Sequence, residues 1–186
     1  MSISSPTLRD HPLVCFPDFR RLFLGRLVSA VGDKFFTIAL AWWVVSQGTD
    51  DSKFHLGLLM AVNLAPIVLL GPAMGTLTDR LDRRSCMLVA DVARATTVGL
   101  LWWALWGGWL SLPILYLLVF LTSAFSPLFE SAAESSLADL TDEAHLGRAV
   151  AADGLVLHLS GALGACAGSL LFAWLGVAGA ILLNAV

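Results

Sequence analysis

Asp33, Lys34, Asp91, Arg94, Glu130, Glu134, Asp153 and His158 all stand inside long apolar runs of this chain. A charged side chain in hydrocarbon costs roughly 2.5–3.5 kcal/mol on the insertion scale unless it is paired or wetted. Two chemistries answer that cost: carboxylates that exchange protons in a polar cavity, and ion pairs that fix helix packing. Asp91 and Arg94 are spaced i, i+3 and can pair along one helix face, a structural use. Asp33 and Lys34 are adjacent, so they point about 100° apart on a helix and cannot share a face; Asp33 is open to either use. Glu130 and Glu134 lie one turn apart with no basic residue on their own run. Like charge and burial both favour a bound proton, as a proton-coupled site needs. Glu134 falls toward the headgroups, which leaves Glu130 the better candidate. His158 titrates in the useful range, although a single His in an apolar run also serves as a helix-to-helix hydrogen bond. Asn63 offers the same choice between substrate binding and bridging helices.

The elements that must carry these residues are membrane helices. The chain is 58% hydrophobic and only 13% charged, against about 25% charge in soluble domains. A mixed, proline-bearing leader over 1–18, with Pro6, Pro12 and Pro17, precedes apolar runs over about 20–46, 56–78, 86–106, 112–136 and 147–174. Gly176 marks a tight turn, and a sixth run over 177–186 reaches only about 15 Å as helix, half the hydrocarbon thickness. The expectation is therefore an all-α polytopic membrane protein whose sixth helix is incomplete. Cys15, Cys86 and Cys166 have no metal or redox spacing and read as isolated reduced thiols.

Orientation follows from charge. Arg9, Arg20, Arg21, Arg26, Arg80, Arg83, Arg84 and Arg148 fall on one side of the spans, and Lys53 alone on the other. By the positive-inside rule the N-terminus and the arginine-rich turn face the cytoplasm. Arg20, Arg21 and Arg26 then read as anchors at the start of the first span.

The turn itself, Gly75-Thr76-Leu77-Thr78-Asp79-Arg80-Leu81-Asp82-Arg83-Arg84, resembles the loop between helices 2 and 3 of the major facilitator superfamily, roughly G-x-x-x-D-R-x-G-R-R. Gly75, Asp79, Arg80, Arg83 and Arg84 match; Asp82 stands where that family usually has Gly. Gly32-Asp33, Asp91-x-x-Arg94 and Glu143-Ala144-His145-Leu146-Gly147-Arg148-Ala149 are similar to its exporter branch for drugs, siderophores and other amphiphiles. The resemblance implies the N-terminal six-helix bundle of a 12-helix fold, with the C-terminal half absent from these residues, and alternating access about a midplane site. It implies gating by the arginine-rich turn, with Asp79 meeting a helix of the second half. Asp33, Asn63, Asp91, Arg94, Glu130 and His158 are then candidates for the substrate and proton pathway.

Gly154, Gly161, Gly164 and Gly168 share one face of the fifth span, and Gly71 and Gly75 form a GxxxG on the second. Such smooth faces suit close sliding contact, and the resemblance implies that they face the other half; static packing within the bundle is the competing use. The expected partners are a small amphiphilic substrate, protons, the lipid bilayer of the bacterial inner membrane and the second half, with no cofactor, metal or nucleic acid. No HExxH or GxSxG occurs, no Gly-rich loop ending in Gly-Lys-Ser/Thr is present and the four His are scattered, which argues against an enzyme or an ATP-driven pump. A truncated membrane protein that regulates another transporter, or a lysophospholipid mover, would share most of these features. Substrate, direction and coupling ion are not encoded in any motif here. A cysteine placed at Arg83 is expected to react with membrane-impermeant maleimide only when the cytoplasmic face is opened; labelling from outside intact cells would reverse the topology.

Overall fold

The computed structural model describes residues 12–48 and 51–184, with side chains given as far as 156 and again over 158–164. The described residues fold as helices only: α1 (Pro12–Cys15), α2 (Pro17–Ser46), α3 (Ser52–Thr78), α4 (Arg83–Trp106), α5 (Leu112–Ala124), α6 (Ser126–Leu140) and α7 (Glu143–Asn184). Among them Pro17–Ser46, Ser52–Thr78, Arg83–Trp106 and the combined stretch Leu112–Leu140 are long and apolar enough to cross a membrane. The chain is a multi-pass membrane protein.

Helix ends lie where local chemistry puts them, a few residues outside the apolar runs. Pro17 opens α2 in the first turn, where its missing N–H removes no helical bond. Asp82 caps α4 by accepting from the Ser85 N–H at 2.9 Å and the Ser85 hydroxyl at 2.8 Å. Pro66 and Pro72 lie inside α3 without ending it. The fourth span differs from expectation. It breaks at Phe125 into α5 and α6, because Pro127 has no N–H to return to Ser123 and its ring crowds that turn. The run beyond 147 differs too. No turn forms at Gly176, and α7 continues as one helix of 42 residues, about 63 Å long. Glycine permits a turn without imposing one, and no proline or charged residue interrupts the sequence from Trp174 to Asn184.

α2 packs most extensively on α7, and α3 and α4 each pack on both α5 and α6. Away from the arginine-rich turn the core is large and apolar, built from Phe36, Leu40, Trp43, Leu59, Leu101 and Leu115. Toward the turn small residues join the core: Ala90, Ala132, Ala133, Ala149 and Ala152 are buried beside Phe19, Leu128, Phe129 and Leu137. Small side chains let helix backbones approach closely where lipid offers no hydrophobic drive to associate. Hydrogen bonds tie the same contacts, Thr97 to Thr122 at 2.8 Å and Thr78 to Ser131 at 2.7 Å. At the opposite end His55 Nδ1 and the Tyr116 hydroxyl share a bond of 2.9 Å.

The glycines divide. Gly164 packs inside the bundle, where an added Cβ would fall on Lys34 Cβ and lie 2.9 Å from its Cγ. Gly75 faces α6, with Ser131 Oγ at 3.8 Å from an added Cβ. These two therefore meet helices of this half, the static packing that was the competing use. Gly71, Gly154 and Gly161 have nothing within 4 Å of an added Cβ. Gly168 lies on α7 where side-chain surroundings fall outside the described residues. Gly164→Ala is expected to destabilise the solubilised protein by about 1–3 kcal/mol through overpacking against α2, whereas Gly154→Ala leaves the unfolding midpoint unchanged or slightly raised.

Candidate functional site: a charged cavity beside a buried arginine

A cavity of about 680 Å³ opens between α2 and α4, with Phe129 of α6 closing one side. Its wall carries Arg26, Ser29, Gly32 and Asp33 from α2 and Asp91, Arg94 and Ala95 from α4. Arg26 and Asp33 are seven residues apart, so two turns of α2 place both on one face. The volume suits a drug-sized molecule, and the lining alternates apolar surface with charge.

Arg94 does not take Asp91 as its ion-pair partner, as the i, i+3 spacing suggested. Its guanidinium pairs with Asp33 across the helix interface. Of the guanidinium nitrogens, Arg94 Nε is buried without a hydrogen-bond partner. Asp91 is left exposed along the same wall and takes no ion pair within 4 Å among the described residues.

Arg26 departs furthest from the sequence reading. It does not anchor in headgroups. Its side chain is only 5% exposed and pairs with both Glu130 of α6 and Asp153 of α7. Glu130, which has no basic residue on its own run, takes its partner from another helix. Arg26 was legible in one respect: a residue two turns before Asp33 on the same face belongs to the same polar stripe. Its acidic partners lie more than a hundred positions away, and no local spacing relates them.

Among the other candidates, Asn63 is half-buried in a separate small crevice with Thr37, Leu59 and Val119. His158 is exposed on α7 and is not among the cavity-lining residues. Glu134 is exposed one turn beyond Glu130. Lys34 lies on the side of α2 that meets Gly164 of α7.

The arginine-rich turn joins α3 to α4 and is tied to α6. Arg83 donates to the Ser135 carbonyl at 2.7 Å and pairs with Asp139. Asp79, Arg80 and Arg84 are exposed. Asp82 has φ −63° and ψ 120°, a conformation open to any residue, so glycine is not required there. Bonds from Ser85 hold the Asp82 carboxyl below the usual carboxylate range. A lowered folded value means that this cap is fully formed above the ordinary range and is lost as pH falls through the lowered one. Asp142, beyond α6, is held low in the same way by His145.

The family model for the Major Facilitator Superfamily matches residues 22–186. The chain belongs to that superfamily. Its relatives include the uncharacterized MFS-type transporter YfiS of Bacillus subtilis, 30% identical over 88% of this chain and 38% of that protein. YkuC of the same organism, another uncharacterized MFS-type transporter, is 23% identical over 91% of the chain and 39% of its own length. The multidrug efflux pump Tap of Mycobacterium tuberculosis is 28% identical over 86% of the chain and 39% of its own length. The chain thus spans about two fifths of the length of these relatives. No solved structure matches it at a significant level.

Within this major facilitator chain Arg26 pairs with two carboxylates from two other helices. Arg26→Ala is expected to lower stability by about 3–5 kcal/mol, since two carboxylates then lose their buried partner. Arg21→Ala removes only an exposed pair with Asp18 and should change little. Unfolding of both variants in detergent, followed by tryptophan fluorescence, checks the contrast.

Proposed function

We propose that this chain forms one half of a secondary active exporter that moves small amphiphilic compounds against protons, by alternating access. The observation that carries the reading is the cavity between α2 and α4, which combines drug-sized volume with the Asp33–Arg94 pair and the nearby Asp91. The likeness to Tap, whose name describes a multidrug efflux pump, supports the substrate class. In this reading the N-terminus and the arginine-rich turn face the cytoplasm of a bacterium, and a second half supplies the other wall of the site.

The pairing pattern redistributes the roles. Asp33 holds Arg94 in place. Asp91 is the wall carboxylate left to meet a proton or a cationic group of the substrate. Arg83 fixes the turn to α6, while exposed Asp79 and Arg80 stay available for the second half. The open Gly71, Gly154 and Gly161 leave smooth patches on α3 and α7 against which that half can rock.

In inverted vesicles carrying the full-length transporter, Asp91→Asn is expected to reduce proton-driven uptake of a dye substrate to background, with membrane insertion unchanged. A protonophore should do the same to the unmodified protein; uptake that survives it would remove the coupling. Asp79→Asn and Arg80→Ala should each abolish transport without loss of the protein from the membrane, and normal uptake by either would reject the gating role of the turn.

A further inference from the structure

We propose that the crevice where α2, α3 and α5 meet is the binding site of a single ordered water, held by Asn63 and Thr37, which bridges α2 to α3 inside the hydrocarbon layer. The crevice shares no lining residue with the charged cavity, and its occupancy does not depend on the transport reading above.

Asn63 stands about 16 Å along α3 from its start at Ser52, well within a span. Its side chain carries two N–H donors and an acceptor oxygen. Among the described residues none of these meets a hydrogen-bonding partner. In lipid a polar group is satisfied inside the protein or at a steep cost, so the amide needs a partner close by.

The crevice supplies the room. It has a free volume of about 10 Å³, with Thr37 and Leu40 on α2, Leu59 and Met60 on α3 and Val119 on α5 around Asn63. A water needs about that much space and two to four polar partners. Thr37 is the second partner. Its hydroxyl donates to the Asp33 carbonyl at 2.8 Å, which leaves lone pairs on the same oxygen to accept. A water seated there donates one proton to Thr37 Oγ1 and the other to Asn63 Oδ1. Leu40 and Leu59 are buried and offer nothing polar, so a second water has no support.

The same lining selects water over a cation. It holds no carboxylate, and Asp33, one turn along α2, gives its carboxylate to Arg94 in the charged cavity. A sodium ion in the crevice would keep an uncompensated charge in a low dielectric. A neutral water carries no such cost. α2 also packs far less on α3 than on α7. A bond through water is nearly as good as a direct one and is remade when either helix shifts slightly, so it suits a lightly packed seam.

The test is X-ray radiolytic footprinting, read by mass spectrometry, on the full-length protein in lipid nanodiscs. Radicals form from water where it sits, and the Met60 thioether on the crevice wall is oxidised to the sulfoxide. Met60 should be oxidised even with a radical scavenger in the bulk solution. Asn63→Leu and Thr37→Val should each lower that oxidation several-fold, and Thr37→Ser should retain it. Met87, which lines the charged cavity, should react alike in all four proteins and reports that the fold is kept. Met60 left unoxidised while Met87 reacts, or an unchanged Met60 signal in either Asn63→Leu or Thr37→Val, would overturn the site. A Met60 signal that varied with sodium at constant ionic strength would identify a cation in the crevice and overturn it as well. No transport is measured, so failure of the exporter reading leaves this result untouched.

Discussion

Buried charge on α2 is the constraint from which the rest of the arrangement follows. Arg26 and Asp33 share a face two turns apart, inside a helix that must cross lipid. Neither can be left alone in a medium where an unpaired ion costs several kcal/mol, and neither can pair with the other across two turns. Each must find its partner on another helix. Arg94 answers Asp33 from α4; Glu130 and Asp153 answer Arg26 from α6 and α7. These bonds fix the rotation of four helices about their axes, which apolar packing alone leaves loosely defined because lipid tails are as apolar as leucine.

Small residues then allow what the charges demand. The ion pairs can close only if the backbones come near. Ala149 and Ala152 precede Asp153 by four residues and one, and Ala132 and Ala133 follow Glu130 within one turn; all four are buried. Gly164 lets α7 lie directly on Lys34. The result is close helix packing around the ion pairs, with the cavity opening beside the charged stripe.

Much of the candidate site was legible without coordinates, and the failures share one cause. Asp33, Asp91 and Arg94 were singled out because a charge in an apolar run needs a reason, and all three line one cavity. The pairing was misassigned. Asp91 and Arg94 sit at a spacing that favours each other on an isolated helix, but a surface pair of that type is worth only about 0.2–0.5 kcal/mol, too little to compete with a partner offered across a low-dielectric interface. Arg26 was read as an anchor because arginines near a span start usually are; nothing in its neighbours reveals that α6 and α7 bring acids to it.

The sequence by itself determined that the chain is helical, crosses the membrane several times and carries an arginine-rich turn of one superfamily, because hydropathy, proline and charge act within a turn or two of where they stand. Only the tertiary structure decided which acid meets which arginine, that α5 and α6 part at Phe125, that α7 passes through Gly176 without turning, and that Gly164 serves α2. Those outcomes depend on distances between segments far apart in the chain, where the low dielectric and the fit of neighbouring helices outweigh any local preference.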